Sequence, residues 1–191
     1  MPRSDLTKYL VHWTKGADYN DAFAKLRGIV FEKRLLGSGA LIRGEWPCVC
    51  FTEAPVNSFH EIIGRYKPFG IQVPKAWLFR LGGRPVIYQS SAEYNSLPEP
   101  IRWRHMRYEP DADPPFDFSW EREWRIHTTE LQLDPTQASI LVPDEQWAQE
   151  LIHEHTIDEH IEREFRAAEY GEEWLMYPLK EFAFRYSVIN V

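Results

Sequence analysis

The chain has few cysteines, no long apolar run and no excess of positive charge. Only 2 of its 191 residues are cysteine. Cys48 and Cys50 lie two positions apart, and a disulfide at that spacing is strained. Two thiolates alone also leave a zinc site incomplete, so we interpret both as reduced, buried small residues. A formal net charge of −7 excludes a broadly basic, phosphate-binding surface, although a local basic patch could still hold a nucleic acid.

Segments that would direct the chain to a membrane or out of the cell are also missing. The sequence has no apolar run of about 18 residues, the length that suggests a membrane-spanning helix. Residues 1–5 lack the apolar core of a signal peptide, which a secreted chain would need. The sequence therefore predicts a cytoplasmic protein with no membrane partner.

The motifs of several common enzyme classes are absent. Gly37–Gly39 and Gly82–Gly83 have neither dinucleotide-loop nor P-loop spacing. No Gly-x-Ser-x-Gly elbow occurs, and no acidic set has the spacing of a metal-dependent nuclease. His153, His155 and His160 point in different directions on a helix. That segment therefore reads as a solvated acidic helix, and no metal site is predicted.

Composition and periodicity predict one α+β domain over residues 1–191. Hydrophobic residues make up 43% of the chain and aromatic residues 15%, enough for a packed core. Strands of mixed spacing, with helices placed unevenly between them, indicate an α+β fold and not a doubly wound parallel sheet. The motif-bearing core is predicted at about 9–142, followed by a helical part at about 144–178 and a closing strand at about 181–189.

Within these bounds, a capping-box pattern at Thr156 predicts that the helical part breaks and that a second helix starts at Ile157. The predicted helices of the core are 20–33, 56–65 and 75–81. The predicted strands are 9–14, 48–53, 69–73, 84–89, 101–108, 118–127, 138–142 and 182–188.

The segment Trp120–Ile126 carries the most informative pattern. A strand here would have two tryptophans on one face and two carboxylates, about 7 Å apart, beside a guanidinium on the other. A rigid strand places a carboxylate accurately in a cleft, so this second face is a candidate catalytic surface. The alternative is a solvated face with a salt-bridge ladder. The first face would carry Trp120, Arg122, Trp124 and Ile126, and the second Glu121, Glu123 and Arg125.

Two other predicted strands also carry polar side chains. His12 and Thr14 share a face of the first strand, whose other residues are mainly apolar. Thr52 ends the apolar strand that begins at Cys48, and Glu53 follows it. If these strands meet the strand of Glu123, the polar groups would form a small cleft with aromatic walls.

Seven segments of the chain together resemble a known family: Val11–Thr14, Arg34–Gly37, Cys50–Pro55, Phe69–Ile71, Lys75–Leu78, Arg84–Tyr88 and Trp120–Ile126. On these segments the sequence resembles abortive-infection proteins of the AbiGi type over residues 9–130. More distantly, the order of its elements is similar to DarT-type and other ADP-ribosyltransferases. These have a first strand with a His or Arg, a second with a Ser, Thr or Tyr, and a last strand with a glutamate.

The resemblance implies a mixed, mostly antiparallel sheet like the split ADP-ribosyltransferase core, with helices packed around it. It also implies that the protein uses NAD as substrate in bacterial anti-phage defence. Glu123 would then be catalytic, and Glu121 of the Glu-x-Glu pair would orient the acceptor, a protein or a nucleic acid. The chain departs from DarT-like proteins in the Trp-Arg pair after Glu123. The residues that would contact NAD are His12, Thr14, Thr52, Glu53 and Arg125.

A non-enzymatic function is the alternative. AbiGi-type proteins have also been described as the antitoxin of a pair, so a cognate toxin or antitoxin is a further expected partner. The acidic, aromatic-rich segment from Glu162 to Tyr177 would suit a basic protein partner. In that case the same fold would act as a binding module, an antitoxin or a sensor.

Overall fold

A seven-stranded sheet lies at the centre of the structure, a computed structural model that describes residues 7–54, 56 and 66–190. The helices are α1 (Tyr19–Glu32), α2 (Lys75–Arg80) and α3 (Glu145–Tyr170). The strands are β1 (Tyr9–Trp13), β2 (Arg34–Leu36), β3 (Cys48–Thr52), β4 (Gly70–Pro74), β5 (Arg84–Pro85), β6 (Ile87–Gln89), β7 (His105–Arg107), β8 (Glu123–His127), β9 (Glu130–Gln132), β10 (Ser139–Val142) and β11 (Arg185–Val188).

The order of strands in the central sheet is β11-β10-β4-β1-β3-β8-β5. Strands β10 and β11 run parallel, and the other neighbouring strands of this sheet pair antiparallel. Two small sheets flank it, one of β2 with β9 and one of β6 with β7. The prediction of an α+β domain with a mixed, mostly antiparallel sheet is confirmed.

Helices α1 and α3 pack on one face of the central sheet. Asp18 caps the N-terminus of α1, because its carboxylate accepts a hydrogen bond from the Asp21 amide and so satisfies a free helix N–H. Its apolar residues then recur every three or four positions and join the same buried cluster as the sheet residues Phe51 and Trp124. The residues of α1 buried in this way are Ala22, Phe23, Leu26 and Val30.

Strands β1 and β3 separate soon after they meet. Among the described residues they share one backbone pair, Val11 with Thr52, whereas β3 and β8 share five. Residues paired across strands point to the same face. Val11, Thr52 and Glu123 therefore share the face opposite α1 and α3. The gap between β1 and β3 is the feature that the functional site is built around.

The predicted strand of residues 118–127 forms only in its second half. Residues Ser119–Glu121 form a 3-10 turn, in which the Asp117 carboxylate accepts from the Ser119 amide and hydroxyl. Arg122 then has a φ of 45°, a left-handed conformation that a strand does not adopt. Trp120 consequently lies on the surface, at 43% exposure, instead of in the core.

Two further predicted element boundaries are wrong. Helix α3 runs unbroken through Thr156, whose hydroxyl donates to the Ile152 carbonyl within the helix instead of capping a new one. The predicted strand of residues 101–108 forms only as β7, because Glu99–Arg104 form a 3-10 helix in which Pro98 and Pro100 favour turn geometry. The predicted helix of residues 56–65 falls almost wholly outside the described residues.

In the described part of the chain, no helix combines the length and apolarity needed to cross a membrane.

Candidate functional site

A cleft of about 1000 Å³ opens where β1 and β3 separate. This volume lies at the upper end of the usual range for small-molecule sites. Its walls contain residues of both strands, the exposed side of α1 and the turn before β8. Six predicted site residues line this cleft: His12, Thr14, Thr52, Glu121, Glu123 and Arg125. The structure therefore places polar residues of three predicted strands in one cleft. By strand alternation, His12 lies on the α1 side of β1 and Glu123 on the other side of β8, so the two reach the cleft from opposite sides of the gap.

Glu123 and Arg125 form a buried ion pair in the cleft wall. They are two residues apart on β8 and share a face, while Trp124 between them packs in the helix-side core. Arg125 Nε lies 2.7 Å from Glu123 Oε1, and Nη2 lies 3.3 Å from Oε2. Exposure is 7% for Glu123 and 3% for Arg125. A two-point contact of this kind fixes both the position and the plane of the carboxylate.

Arg125 uses all of its donors within the protein. Beyond its two bonds to Glu123, Nη1 donates to the Trp103 and His105 carbonyls at 2.9 and 2.8 Å. Nη2 also contacts Met106 Sδ at 3.5 Å. A guanidinium has five N–H groups, so none is left for a ligand phosphate. Arg125 thus holds Glu123 in place, whereas each Glu123 oxygen keeps acceptor capacity for a ligand hydroxyl.

Glu121 lies in the cleft, but it is on a 3-10 turn and not on the predicted strand. It ends the 3-10 turn before β8 and is buried, although that turn does not continue the strand alternation. The Tyr66 hydroxyl donates to its carboxylate at 3.2 Å. Its backbone carbonyl accepts from the Thr52 hydroxyl. Two carboxylates therefore share the cleft, and each is held by its own partner.

His12 bridges the gap between β1 and β3. Its Nδ1 lies 2.8 Å from the Cys50 carbonyl oxygen, which can only accept. Nδ1 therefore carries the proton in the neutral ring, and Nε2 is left as an acceptor. Burial lowers the pKa of His12 below its usual value, and nearby Lys15 adds to this effect. The ring is thus held neutral and in one tautomer.

We expect this neutral histidine to make stability depend on pH below about 6.5, the usual histidine pKa. The folded pKa is lower, so between the two values the unfolded chain binds more protons than the folded one. The free energy of unfolding therefore falls as pH drops from about 6.5 through the folded pKa of His12. Above about pH 6.5, His12 does not change it. Urea denaturation at pH 7.5 and 5.5 should show a smaller loss for His12→Asn, which keeps a donor for Cys50. Equal losses in both proteins would contradict the neutral assignment.

Thr14 and Thr52 use their hydroxyl protons to connect backbone segments. The Thr14 hydroxyl donates to the Phe69 carbonyl at 3.0 Å and so closes the end of the β1–β4 pair. The Thr52 hydroxyl donates to the Glu121 carbonyl and accepts from the Ala54 amide at 3.1 Å. Both are buried. They fix the cleft walls and can offer a ligand acceptor lone pairs only.

Glu53 is the predicted site residue that the structure places away from the cleft. Its carboxylate forms an ion pair with Lys75 and accepts from Trp124 Nε1 at 2.8 Å. The Trp124 ring packs in the helix-side core, on the opposite face of the sheet from Glu123. The reason is the strand alternation itself, because Glu53 follows Thr52 by one residue.

The cleft has more positive than negative side chains although the chain as a whole is acidic. Positive charge attracts an anionic ligand and raises its local concentration. Lys25, Arg34 and Arg107 are also paired with carboxylates that do not line the cleft, so the free positive charge is smaller than the number of cations. Lys15 has no ion pair among the described residues, and its Nζ lies 5.6 Å from the centre of the Tyr66 ring. The six cationic residues are Lys15, Lys25, Arg34, Arg43, Arg107 and Arg125, and the three acidic ones are Glu32, Glu121 and Glu123.

Sequence reasoning missed all of these cations except Arg125. They are scattered over five segments and form no motif; the one local signal is Lys15, which directly follows the His12-x-Thr14 pattern. The cleft also has aromatic residues that suit stacking on a planar ring, namely Trp13, Tyr66, Phe116 and Phe118. Tyr88 does not line it, but its hydroxyl accepts from the Glu123 amide at 3.2 Å.

Cys50 also lines the cleft, whereas Cys48 packs against Ile42 and Trp103. Burial raises the pKa of Cys48 to about 11 and raises that of Cys50 further, where Glu123 adds to the effect. Both are free thiols and stay protonated at neutral pH, so neither is an activated nucleophile. Among the described residues, no three His, Cys, Asp or Glu side chains converge as a metal ion would require.

The sequence matches no family model, and the comparisons with curated proteins and with solved structures find no significant match. The site's geometry and the motif order are therefore the basis for a functional assignment.

Proposed function

We propose that the chain is an NAD-dependent ADP-ribosyltransferase-like protein of bacterial anti-phage defence. In this proposal it acts in the cytoplasm and transfers ADP-ribose to a macromolecular acceptor, a protein or a nucleic acid. A cognate toxin or antitoxin protein is its expected partner. One observation carries the proposal: the buried Glu123 carboxylate, fixed by Arg125, shares one cleft with His12 and Thr52. This is the residue order that the resemblance to ADP-ribosyltransferases implies.

The reaction breaks the bond between nicotinamide and the adjacent ribose of NAD. Nicotinamide leaves with the bonding electron pair, and positive charge develops on the ribose as in glycoside hydrolysis. The acceptor then attacks the same ribose carbon and releases a proton. The products are ADP-ribosyl acceptor, nicotinamide and one proton; with water as acceptor they are ADP-ribose, nicotinamide and one proton.

Glu123 suits this chemistry because a carboxylate stabilises the charged transition state more than it stabilises the bound substrate. The two-point contact with Arg125 holds it in position before NAD binds. Its remaining acceptor capacity can bind a ribose hydroxyl. No reorganisation of the carboxylate is then needed during the reaction.

In this proposal the other cleft residues bind NAD or orient the acceptor. His12 offers Nε2 as an acceptor for a second NAD hydroxyl, because Nδ1 is committed to Cys50. Lys15 is a cation suited to the pyrophosphate, since it has no carboxylate partner among the described residues. Glu121, supported by Tyr66, orients the acceptor group. Glu53 is not included, because it pairs with Lys75 outside the cleft.

We expect NAD to stabilise the wild-type protein and to be consumed. At about 100 times its Kd, a ligand adds about 2.7 kcal/mol to the free energy of unfolding. For a chain of this size that raises Tm by about 5–10 °C. Thermal melts with and without NAD measure this shift. Chromatography of released nicotinamide, with cell extract as the source of acceptor, measures turnover.

Lys15→Ala should weaken NAD binding about fivefold, the loss expected for one partly exposed charge contact. The matched control is Lys8→Ala, which removes an exposed lysine that does not line the cleft. The control should leave the NAD-induced Tm shift unchanged. If wild-type protein neither melts later nor releases nicotinamide, the proposed function is wrong.

A binding module without chemistry is the second candidate function. The observation that favours it is the ion pair itself, since both Glu123 oxygens already accept bonds from Arg125. A passive cleft would bind NAD or another anionic ligand with no release of nicotinamide. The two candidates are therefore separated by turnover, not by binding.

A further inference from the structure

The second half of α3 exposes an apolar stripe to solvent. Ile157, Ile161 and Phe165 are spaced by four residues and so lie along one face of the helix. Their exposures are 43, 60 and 63%. The core-facing residues of the first half, Ala148 and Leu151, lie on a different face and are buried. We call Ile157, Ile161 and Phe165 the α3 stripe.

Strong negative charge surrounds the α3 stripe. Between Glu145 and Tyr177 the chain has 10 acidic and 2 basic residues. Four of the acidic residues form ion pairs within the protein, with Arg27, Arg166 and Lys180 as their partners. Glu164 and Glu169 have no hydrogen bond or ion pair within the described part of the chain. Their charges are therefore available to a cationic partner.

A second cavity lies beside the α3 stripe and shares Ile161 with it. Its volume is about 470 Å³, and it is enclosed by α1, α3 and residues 180–184. Its aromatic rings are Phe31, Phe182 and Phe184, and its acidic residues are Asp158, Glu159, Glu162 and Glu181. Lys33 and Lys180 also line it, and three of its four acidic side chains are paired with Arg27, Lys180 and Arg166. The cavity therefore extends the apolar surface beside the stripe but offers little free negative charge.

The negative charge of this surface distinguishes among three possible binding partners: a second copy of the chain, a membrane and a basic protein segment. A second copy of the chain would bring two acidic helices together, and like charges across an interface are unfavourable. An anionic membrane would be repelled for the same reason. A helix with positive charge and an apolar face matches both the apolar stripe and the negative charge beside it. Its apolar residues cover the stripe, and its cations contact the acidic flanks.

We propose that the α3 stripe is the docking surface for a basic amphipathic helix of a protein partner. The apolar face of that helix covers the stripe, and its lysine or arginine side chains meet Glu164 and Glu169 at the flanks. The surface does not include the NAD cleft, so docking and turnover are tested separately.

The probe is a synthetic 18-residue Lys/Leu peptide with all leucines on one helical face. A second peptide of the same composition has its order scrambled, which destroys that face. Fluorescence anisotropy with the full chain should show at least about tenfold tighter binding of the amphipathic peptide. Ile161→Ser/Phe165→Ser should weaken its binding by a similar factor. The control Phe79→Ser/Leu81→Ser changes two other exposed apolar residues and should leave binding unchanged.

Thermal melts check that both double variants are folded. Since residues 161 and 165 are more than half exposed, neither replacement empties the core. Glu164→Lys/Glu169→Lys provides a second test that leaves the stripe intact, and should weaken peptide binding and reduce its salt dependence. Equal binding of both peptides, or equal losses in the stripe and control variants, would overturn the proposal. A concentration-dependent dimer that the stripe variant abolishes would assign the surface to a second copy instead. Binding to anionic vesicles through the stripe would assign it to a membrane.

Discussion

Replacing Glu123 by glutamine is expected to lower nicotinamide release from NAD by about 100- to 1000-fold, the usual effect of removing one fixed electrostatic group from an active site. Glutamine has nearly the same shape, and its carbonyl oxygen can still accept from Arg125 Nε. It lacks the negative charge that the developing positive ribose requires. The rate constant is measured with saturating NAD, so that a change in binding does not contribute.

The control for this prediction is Glu162→Gln, which also removes one carboxylate paired with an arginine, but on the surface of α3. It should keep wild-type turnover. Both variants are compared well below their own Tm, because the glutamine at 123 leaves the buried Arg125 charge only partly satisfied. If the turnover of Glu123→Gln is within a few-fold of wild type, Glu123 is not a catalytic residue.

Replacing Arg125 by methionine is expected to lower the free energy of unfolding by about 3–5 kcal/mol, because it leaves the Glu123 charge buried without a partner. The carbonyls of Trp103 and His105 lose their shared donor at the same time. Burial disfavours the charged guanidinium, but Glu123 outweighs this effect, and the pKa of Arg125 lies above its usual value. Urea denaturation measures the change.

The double variant Glu123→Gln/Arg125→Met should recover part of this loss, because no unpaired buried charge remains. The comparison is Arg166→Met, which breaks an ion pair whose partners are 42 and 49% exposed. Water screens that pair, so its loss should change stability by less than about 1 kcal/mol. A similar small effect in Arg125→Met would mean that the buried pair does not hold the strand as the contacts indicate.

Local alternation was sufficient to predict the parts of the site that lie on one strand. Glu123 and Arg125 share a face because they are two residues apart on β8, and Trp124 and Ile126 enter the core for the same reason. The prediction fails upstream, where Asp117 and the left-handed Arg122 produce a turn. Glu121 is still in the cleft, but through the turn and its contact with Tyr66.

Elements that depend on distant partners were not predictable from a local pattern. Strands β2 and β9 have three residues each and form by pairing with one another across almost 100 residues of chain. Segments this short have little intrinsic preference, since strand propensity mostly reflects the neighbours a strand finds. The exposed face of α3 was also missed, because Ile161 and Phe165 have the helical spacing of core residues.

The sequence by itself determined which side chains can act together within each element: the β8 pair, the polar face of β1 and the acidic character of α3. The tertiary structure alone decided that β1 and β3 separate, so that His12 reaches across to Cys50 and a cleft opens beside Glu123. It also decided that Glu53 lies on the opposite face with Lys75. The physical reason is that side-chain direction follows from the local backbone, whereas a gap between strands depends on all the contacts that hold the two sides of the sheet.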